Sequence, residues 1–248
     1  MKEKFWTFRA ATEKAGELLL YGPISMDSWW GDEVTPQQFA DDLAALGDID
    51  TLTVYINSGG GDVFAGQAIY SILKRHKAKV ITYVDGLAAS IASLVAMAGD
   101  TVIMPKNSML MVHNPWTFAL GNSNELRKMA DDLDQIRESM IVVYVDKTGL
   151  TRDEVIALLD MEKWMTAEEA IDEGFADEIA AEKKIAASLR DGKLIVNGRE
   201  FDISAFKHFP KDQIPQAVQV PAGDNTAKAK VALERDLENL RRYADTFE

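Results

Sequence analysis

Apolar and polar positions change period several times along the chain, and each change marks an element. Glu17-Leu18-Leu19-Leu20-Tyr21 followed by Gly22-Pro23 reads as a first strand and its turn. Thr35-Pro36-Gln37-Gln38 supplies a hydroxyl cap, a proline at the first helical position and a glutamine at the third, so a helix starts there and runs to about Leu46, with Gly47 beyond. The β-branched run 51–56 is a strand that stops at Asn57-Ser58-Gly59-Gly60-Gly61-Asp62, and residues 63–73 then carry their larger apolar side chains at helical spacing. A further strand, 80–84, ends at Gly86, where a small-residue helical run opens with Ser90 near its first turn. Two strand, glycine turn, helix units in succession predict an α/β domain with crossover connections and a mainly parallel sheet.

Downstream, residues 100–104 and 109–113 read as two short strands separated by Pro105-Lys106-Asn107-Ser108. From 124 to 146 a long helix is expected: Leu126, Met129, Leu133, Ile136, Met140 and Val143 repeat at alternating steps of three and four, an interhelical seam. Such a helix extends about 35 Å at 1.5 Å per residue, longer than its own domain needs, and its apolar seam asks for a partner subunit. Thr151-Arg152-Asp153-Glu154 and Thr166-Ala167-Glu168-Glu169 are capping boxes that start two short helices, ending near Leu159 and at Gly174, with an irregular stretch 160–165 between them. Past about residue 180 the character changes: a hairpin around Asn197-Gly198, a linker over 213–229 and a charged helix over 229–243. The expected organisation is a main domain, 1–180, and a C-terminal extension, 181–248. An aromatic loop, Ser28-Trp29-Trp30-Gly31-Asp32, is expected to pack on the main domain.

Composition narrows the function classes. Of 248 residues, 47% are hydrophobic and 27% charged, which is globular. The chain has no uncharged apolar run long enough to span a membrane, and residues 1–9 have no signal-like apolar core, so a cytoplasmic protein is expected. It has no cysteine, and His76, His113 and His208 are far apart in sequence, so neither a metal nor another cofactor is expected. A formal charge of −13 argues against a nucleic-acid surface.

The candidate chemistry gathers around Ser90. A serine where a strand end meets a helix start is either an N-cap or a nucleophile whose developing charge the helix amides stabilise. As a nucleophile it needs a base, an orienting group and oxyanion donors. His113 ends an apolar strand just before Asn114-Pro115 and is either a hydrogen-bonded core histidine or that base; His76 sits in a solvated basic run and is a poor one. Gly59-Gly60-Gly61 offers bare amides to a substrate, and the amide of Ile91 offers a second donor. Asp160 and Glu162, in the irregular stretch, are candidates for the orienting carboxylate.

Four segments in order resemble the ClpP serine peptidases across about residues 17–180: Asn57-Ser58-Gly59-Gly60-Gly61, Gly86-Leu87-Ala88-Ala89-Ser90, Met111-Val112-His113-Asn114-Pro115, and Trp164-Met165-Thr166-Ala167-Glu168-Glu169-Ala170 with Gly174-Phe175-Ala176-Asp177. The run Gly-Leu-Ala-Ala-Ser-Ile-Ala-Ser and the extension are most similar to the ClpP-like head maturation proteases of tailed bacteriophages. The resemblance implies a ββα spiral shared with the crotonases, a long helix at the contact between stacked rings, and a homo-oligomer enclosing a chamber. It implies Ser90 as nucleophile, His113 as general base, and Gly60 or Gly61 with Ile91 as oxyanion donors. The family's usual proline is here Gly59, and its catalytic aspartate falls best on Asp160, with Glu162 the alternative. The implied function is cleavage of capsid or scaffold proteins during prohead maturation; the alternatives are a proteolytic subunit working with an unfoldase ATPase and a non-catalytic assembly protein.

Overall fold

The computed structural model describes residues 4–25, 35–180, 187–190, 193–196, 199–203 and 208. In chain order these form β1 (Trp6–Thr12), β2 (Ala15–Tyr21), α1 (Pro36–Ala44), β3 (Thr51–Ser58), α2 (Val63–Lys74), β4 (Lys79–Ala89), α3 (Ile91–Ala96), β5 (Thr101–Met104) and β6 (Met109–Val112). There follow α4 (Ser123–Thr148), α5 (Arg152–Met161), β7 (Lys163–Thr166), α6 (Ala167–Asp172), β8 (Glu178–Ile179), β9 (Ala187–Arg190), β10 (Lys193–Val196) and β11 (Arg199–Asp202).

Among the described residues, eight strands make one mixed sheet in the order β1-β2-β3-β4-β5-β8, with β6 and β7 branching from β4. The β1–β2 pair is antiparallel and the rest of the main path is parallel, as the repeated strand-helix units predict. The long strand β4 serves two partners: its first half pairs β3 and β5, and Leu87–Ala89 pairs Met109–Met111 of β6. Inward positions of β2 and β3, including Leu18, Leu20, Leu52, Val54 and Ile56, are buried in one core with Phe39 of α1, Ile69 and Leu73 of α2 and Leu94 of α3. All six residues of α3 are buried, and it lies so close to α2 that a Cβ on Gly66 would stand 2.2 Å from Ile91 Cγ1.

The capping boxes form as the sequence dictates. Thr35, Thr151 and Thr166 each accept from the amide three residues on, and Gln38, Glu154 and Glu169 reach back to the cap amides. The long helix α4 has a further box at Asn122 and Glu125 and stops at Gly149 in the left-handed region, close to the expected span. Its second half is rooted by buried Met140, Ile141 and Tyr144, whereas Leu126 and Met129 in its first half are 45% and 37% exposed. The helix therefore projects, with part of its apolar seam uncovered. No helix among the described residues is long and apolar enough to cross a membrane.

Three elements depart from the sequence reading. β1 precedes the strand expected to be first, its outer positions being polar and small. β7 occupies the supposedly irregular stretch, because pairing with β6 from Met109↔Thr166 to Val112↔Lys163 fixes it. β4 runs through Gly86 to Ala89 instead of ending there; Gly-Leu-Ala-Ala has little strand propensity, and pairing with β6 overrides it. Past residue 180, β10 and β11 pair antiparallel with Val196 opposite Arg199, as expected for a hairpin, and β9 adds a third strand. The tryptophan loop, the Asn197-Gly198 turn, the linker and the C-terminal helix lie outside the described residues.

Candidate active site

The site is built where β4 ends. Residues 87–89 run in parallel register with 109–111, and the Ser90 amide donates to the Met111 carbonyl at 3.0 Å, so Ser90 is tied to β6. Between strand and helix the chain must turn within one residue, and Ser90 takes φ 56°, ψ −133° to do it. A non-glycine residue there costs about 1–3 kcal/mol, and such strained strand-to-helix elbows present a side chain at the sheet's carboxyl end. Ser90 makes no capping bond to α3. Its carbonyl instead accepts from the Ser93 amide at 2.9 Å and from Ser93 Oγ at 2.6 Å, while Ser93 Oγ lies 2.9 Å from the hydroxyl of Tyr144. The elbow is thus braced by the root of α4, where burial pushes the Tyr144 hydroxyl's pKa up and keeps it neutral.

His113 follows the last residue of β6, one position beyond the rung that Ser90 would occupy. Its Nε2 lies 2.7 Å from Ser90 Oγ. The residue is only 7% exposed. Burial lowers its pKa below the ordinary value of 6.5, and the Glu162 carboxylate pulls in the other direction. A neutral imidazole at pH 7 is able to accept a proton, and a nearby carboxylate stabilises the cation that results.

The two candidate carboxylates go to different places. Asp160, on the last turn of α5, accepts from Asn114 Nδ2 at 2.8 Å and faces Arg137 Nη1 at 3.6 Å. Glu162 is the C-cap of α5 in the left-handed region, φ 53°, which turns the chain into β7 beside β6. Of the two, Glu162 is the carboxylate whose charge raises the His113 pKa. Trp164 Nε1 donates to Glu162 Oε1 at 3.4 Å.

The glycine loop closes the other side. A Cβ on Gly60 would stand 2.5 Å from Ser90 Cβ and 2.8 Å from the Ala89 carbonyl, and one on Gly61 would stand 1.9 Å from the Ile24 carbonyl. Both glycines also have positive φ, 95° and 146°. Gly60's amide is engaged, donating to Ser58 Oγ at 3.1 Å, while Ser58 Oγ donates to the Gly22 carbonyl. Among the described residues no acceptor takes the amide of Gly61, and Ile91's belongs to the first turn of α3.

Five of the predicted residues therefore meet in one place: Ser90, His113, Gly60, Gly61 and Ile91. Asp160 reaches Asn114, the neighbour of His113, rather than the imidazole. Sequence reasoning missed Ser58 and Ser93, which hold the loop and the elbow; the hydroxyl just before the glycines was the visible signal for the first. No group of three or more potential metal ligands gathers among the described residues.

Comparison with known proteins places this geometry. Residues 14–183 match the family described as Clp protease. The chain is 32% identical over 158 residues to the ATP-dependent Clp protease proteolytic subunit of Bacteroides fragilis, covering 61% of this chain and 76% of that protein. It is 33% identical over 144 residues to the subunit of the same name from Pleurastrum terricola, 57% of this chain and 73% of that one, and 33% over 136 residues to that of Chlorella vulgaris, 54% and 67%. With an eight-stranded sheet, a projecting helix and matches of this extent, the chain belongs to the Clp protease family and is a serine endopeptidase of that type.

Proposed function

We propose that the chain cleaves polypeptides through an acyl-enzyme, with Ser90 as nucleophile, His113 as general base and Glu162 as the carboxylate that orients it. The observation that carries this is the 2.7 Å contact between His113 Nε2 and the hydroxyl of a serine held at a strained elbow. Ser90 Oγ attacks the scissile carbonyl and its proton passes to His113 Nε2. The oxyanion is received by the amides of Gly61 and Ile91, with Gly60 shaping the loop through Ser58. His113 then returns the proton to the leaving amine, and water releases the acyl group by the reverse route. Glu162 stabilises the imidazolium in between. Asp160 acts at one remove, by holding Asn114 beside His113.

For the cellular setting, the relatives' names, proteolytic subunits of an ATP-dependent Clp protease, favour a proteolytic subunit that works with an ATPase partner, and we read it as a ring-forming one fed with unfolded chains. The exposed apolar first half of α4 supports assembly with further copies. A second reading, a prohead protease acting on capsid or scaffold proteins, is favoured by the chain that continues past the family match at residue 183 and by the Gly-Leu-Ala-Ala-Ser-Ile-Ala-Ser run. Degradation of an unfolded protein with and without an unfoldase ATPase and ATP separates the two. ATP-dependent degradation supports the first, and cleavage of capsid or scaffold protein by the peptidase alone supports the second. A Ser90→Ala variant as active as the parent contradicts both.

A further inference from the structure

Residues beyond the family match pack against the strands that carry the catalytic centre. Leu194 of β10 and Ile203, just after β11, are 2% and 5% exposed. They complete a second apolar cluster with Leu87 and Ala89 of β4, Met109 and Met111 of β6, and Trp164 of β7. These strands carry the site: Ser90 follows Ala89, Met111 receives the Ser90 amide, and Trp164 donates to Glu162. Farther on, the backbone amide of His208 donates to Glu162 Oε1 at 3.1 Å. A segment 32 to 46 residues along the chain from Glu162, from Leu194 to His208, therefore reaches it twice, once through the packing of Trp164 and once directly.

We propose that the β9–β11 sheet and the His208 amide are a positioning element for the Glu162 carboxylate. The proposal rests on the reading of Glu162 as the group that orients His113. A glutamate has three rotatable side-chain bonds, one more than an aspartate, so its carboxylate is less defined unless something fixes it. The indole of Trp164 and the amide of His208 both donate to the same oxygen, Oε1, and so fix the position of that oxygen. A hydrogen bond to a charged acceptor is stronger than one between neutral groups, and here the donor is backbone, which a substitution of the side chain leaves in place. Leu194 and Ile203 contribute the burial that seats the segment. Activity thus depends on a part of the chain outside the catalytic residues themselves.

The test uses the full-length chain and a short fluorogenic peptide. His208→Pro removes the amide donor; it lowers kcat about tenfold with KM unchanged, and moves the acid limb of the pH profile down as Glu162 loses its hold on His113. His208→Ala, which returns the amide, restores the profile. In a Glu162→Gln background, His208→Pro has no further effect on kcat. Independently of activity, Leu194→Ser and Ile203→Ser shift the indole 1H–15N resonance of Trp164, assigned through Trp164→Phe. A His208→Pro enzyme with wild-type kcat and pH profile, in a protein where Glu162→Gln is impaired, overturns the positioning role and leaves the triad standing. A Glu162→Gln enzyme with wild-type kcat and profile overturns the reading of Glu162 and this proposal with it.

Discussion

Gly60 and Ser90 touch so closely that a side chain on the first would occupy the space of the second: a Cβ at position 60 would stand 2.5 Å from Ser90 Cβ. The loop and the elbow are consequently one unit, and a change at Gly60 acts on chemistry before it acts on folding. Gly60→Ala is expected to reduce kcat by about two orders of magnitude, the loss typical of a misplaced oxyanion site. Circular dichroism checks that the fold is kept, and peptide hydrolysis measures the loss.

Strain at Ser90 predicts a trade of activity for stability. Ser90→Gly removes the left-handed penalty at φ 56°, so it should raise stability by about 1 kcal/mol while abolishing hydrolysis. Urea denaturation of the two proteins makes the comparison.

The pH dependence identifies the orienting carboxylate. Burial holds the His113 pKa below 6.5 and Glu162 raises it. The base must be neutral, so activity is lost as pH falls through the His113 pKa. Removing the charge in Glu162→Gln lowers that pKa further; kcat falls, and the acid limb moves to lower pH. Asp160→Ala leaves the limb where it is, because Asp160 is bonded to Asn114 and faces Arg137. Profiles of kcat/KM against pH for the three proteins decide between the carboxylates.

Much of this site was legible because its residues are punctuation. A glycine triplet after a β-branched strand, a serine after Gly-Leu-Ala-Ala and a histidine before Asn-Pro each sit where one element gives way to another. Their meeting follows from parallel register, which brings 87–89 beside 109–111. The choice between Asp160 and Glu162 was not legible, since the two are separated by half a helical turn at a C-cap. The placement of Glu162, whose charge raises the His113 pKa, follows from its φ of 53° and from β7 pairing with β6. β7 itself was hidden because four residues between two capping boxes carry no period of their own. The packing of Leu194 and Ile203 against β4, β6 and β7 could not be seen either, because their partners are distant in sequence.

The brace between the elbow and α4 is a stability prediction. Tyr144→Phe leaves Ser93 Oγ without the hydroxyl 2.9 Å away, inside a fully buried pair. The expected cost is about 1–2 kcal/mol, read as a lower urea midpoint at unchanged m-value.

The uncovered seam of α4 predicts assembly. Met129→Glu together with Leu133→Glu places charges on the projecting half and should reduce the particle to smaller species, measured by light scattering with size exclusion. A particle of unchanged mass would mean that α4 is not a subunit contact.

Reaction of the protein with a fluorophosphonate, followed by intact mass and peptide mapping, addresses the centre of the account most directly. One adduct per chain is expected, on Ser90, lost in Ser90→Ala and slowed by orders of magnitude in His113→Ala. An assembled, folded protein that takes no label, or takes it on another residue, would contradict the Ser90 and His113 assignment.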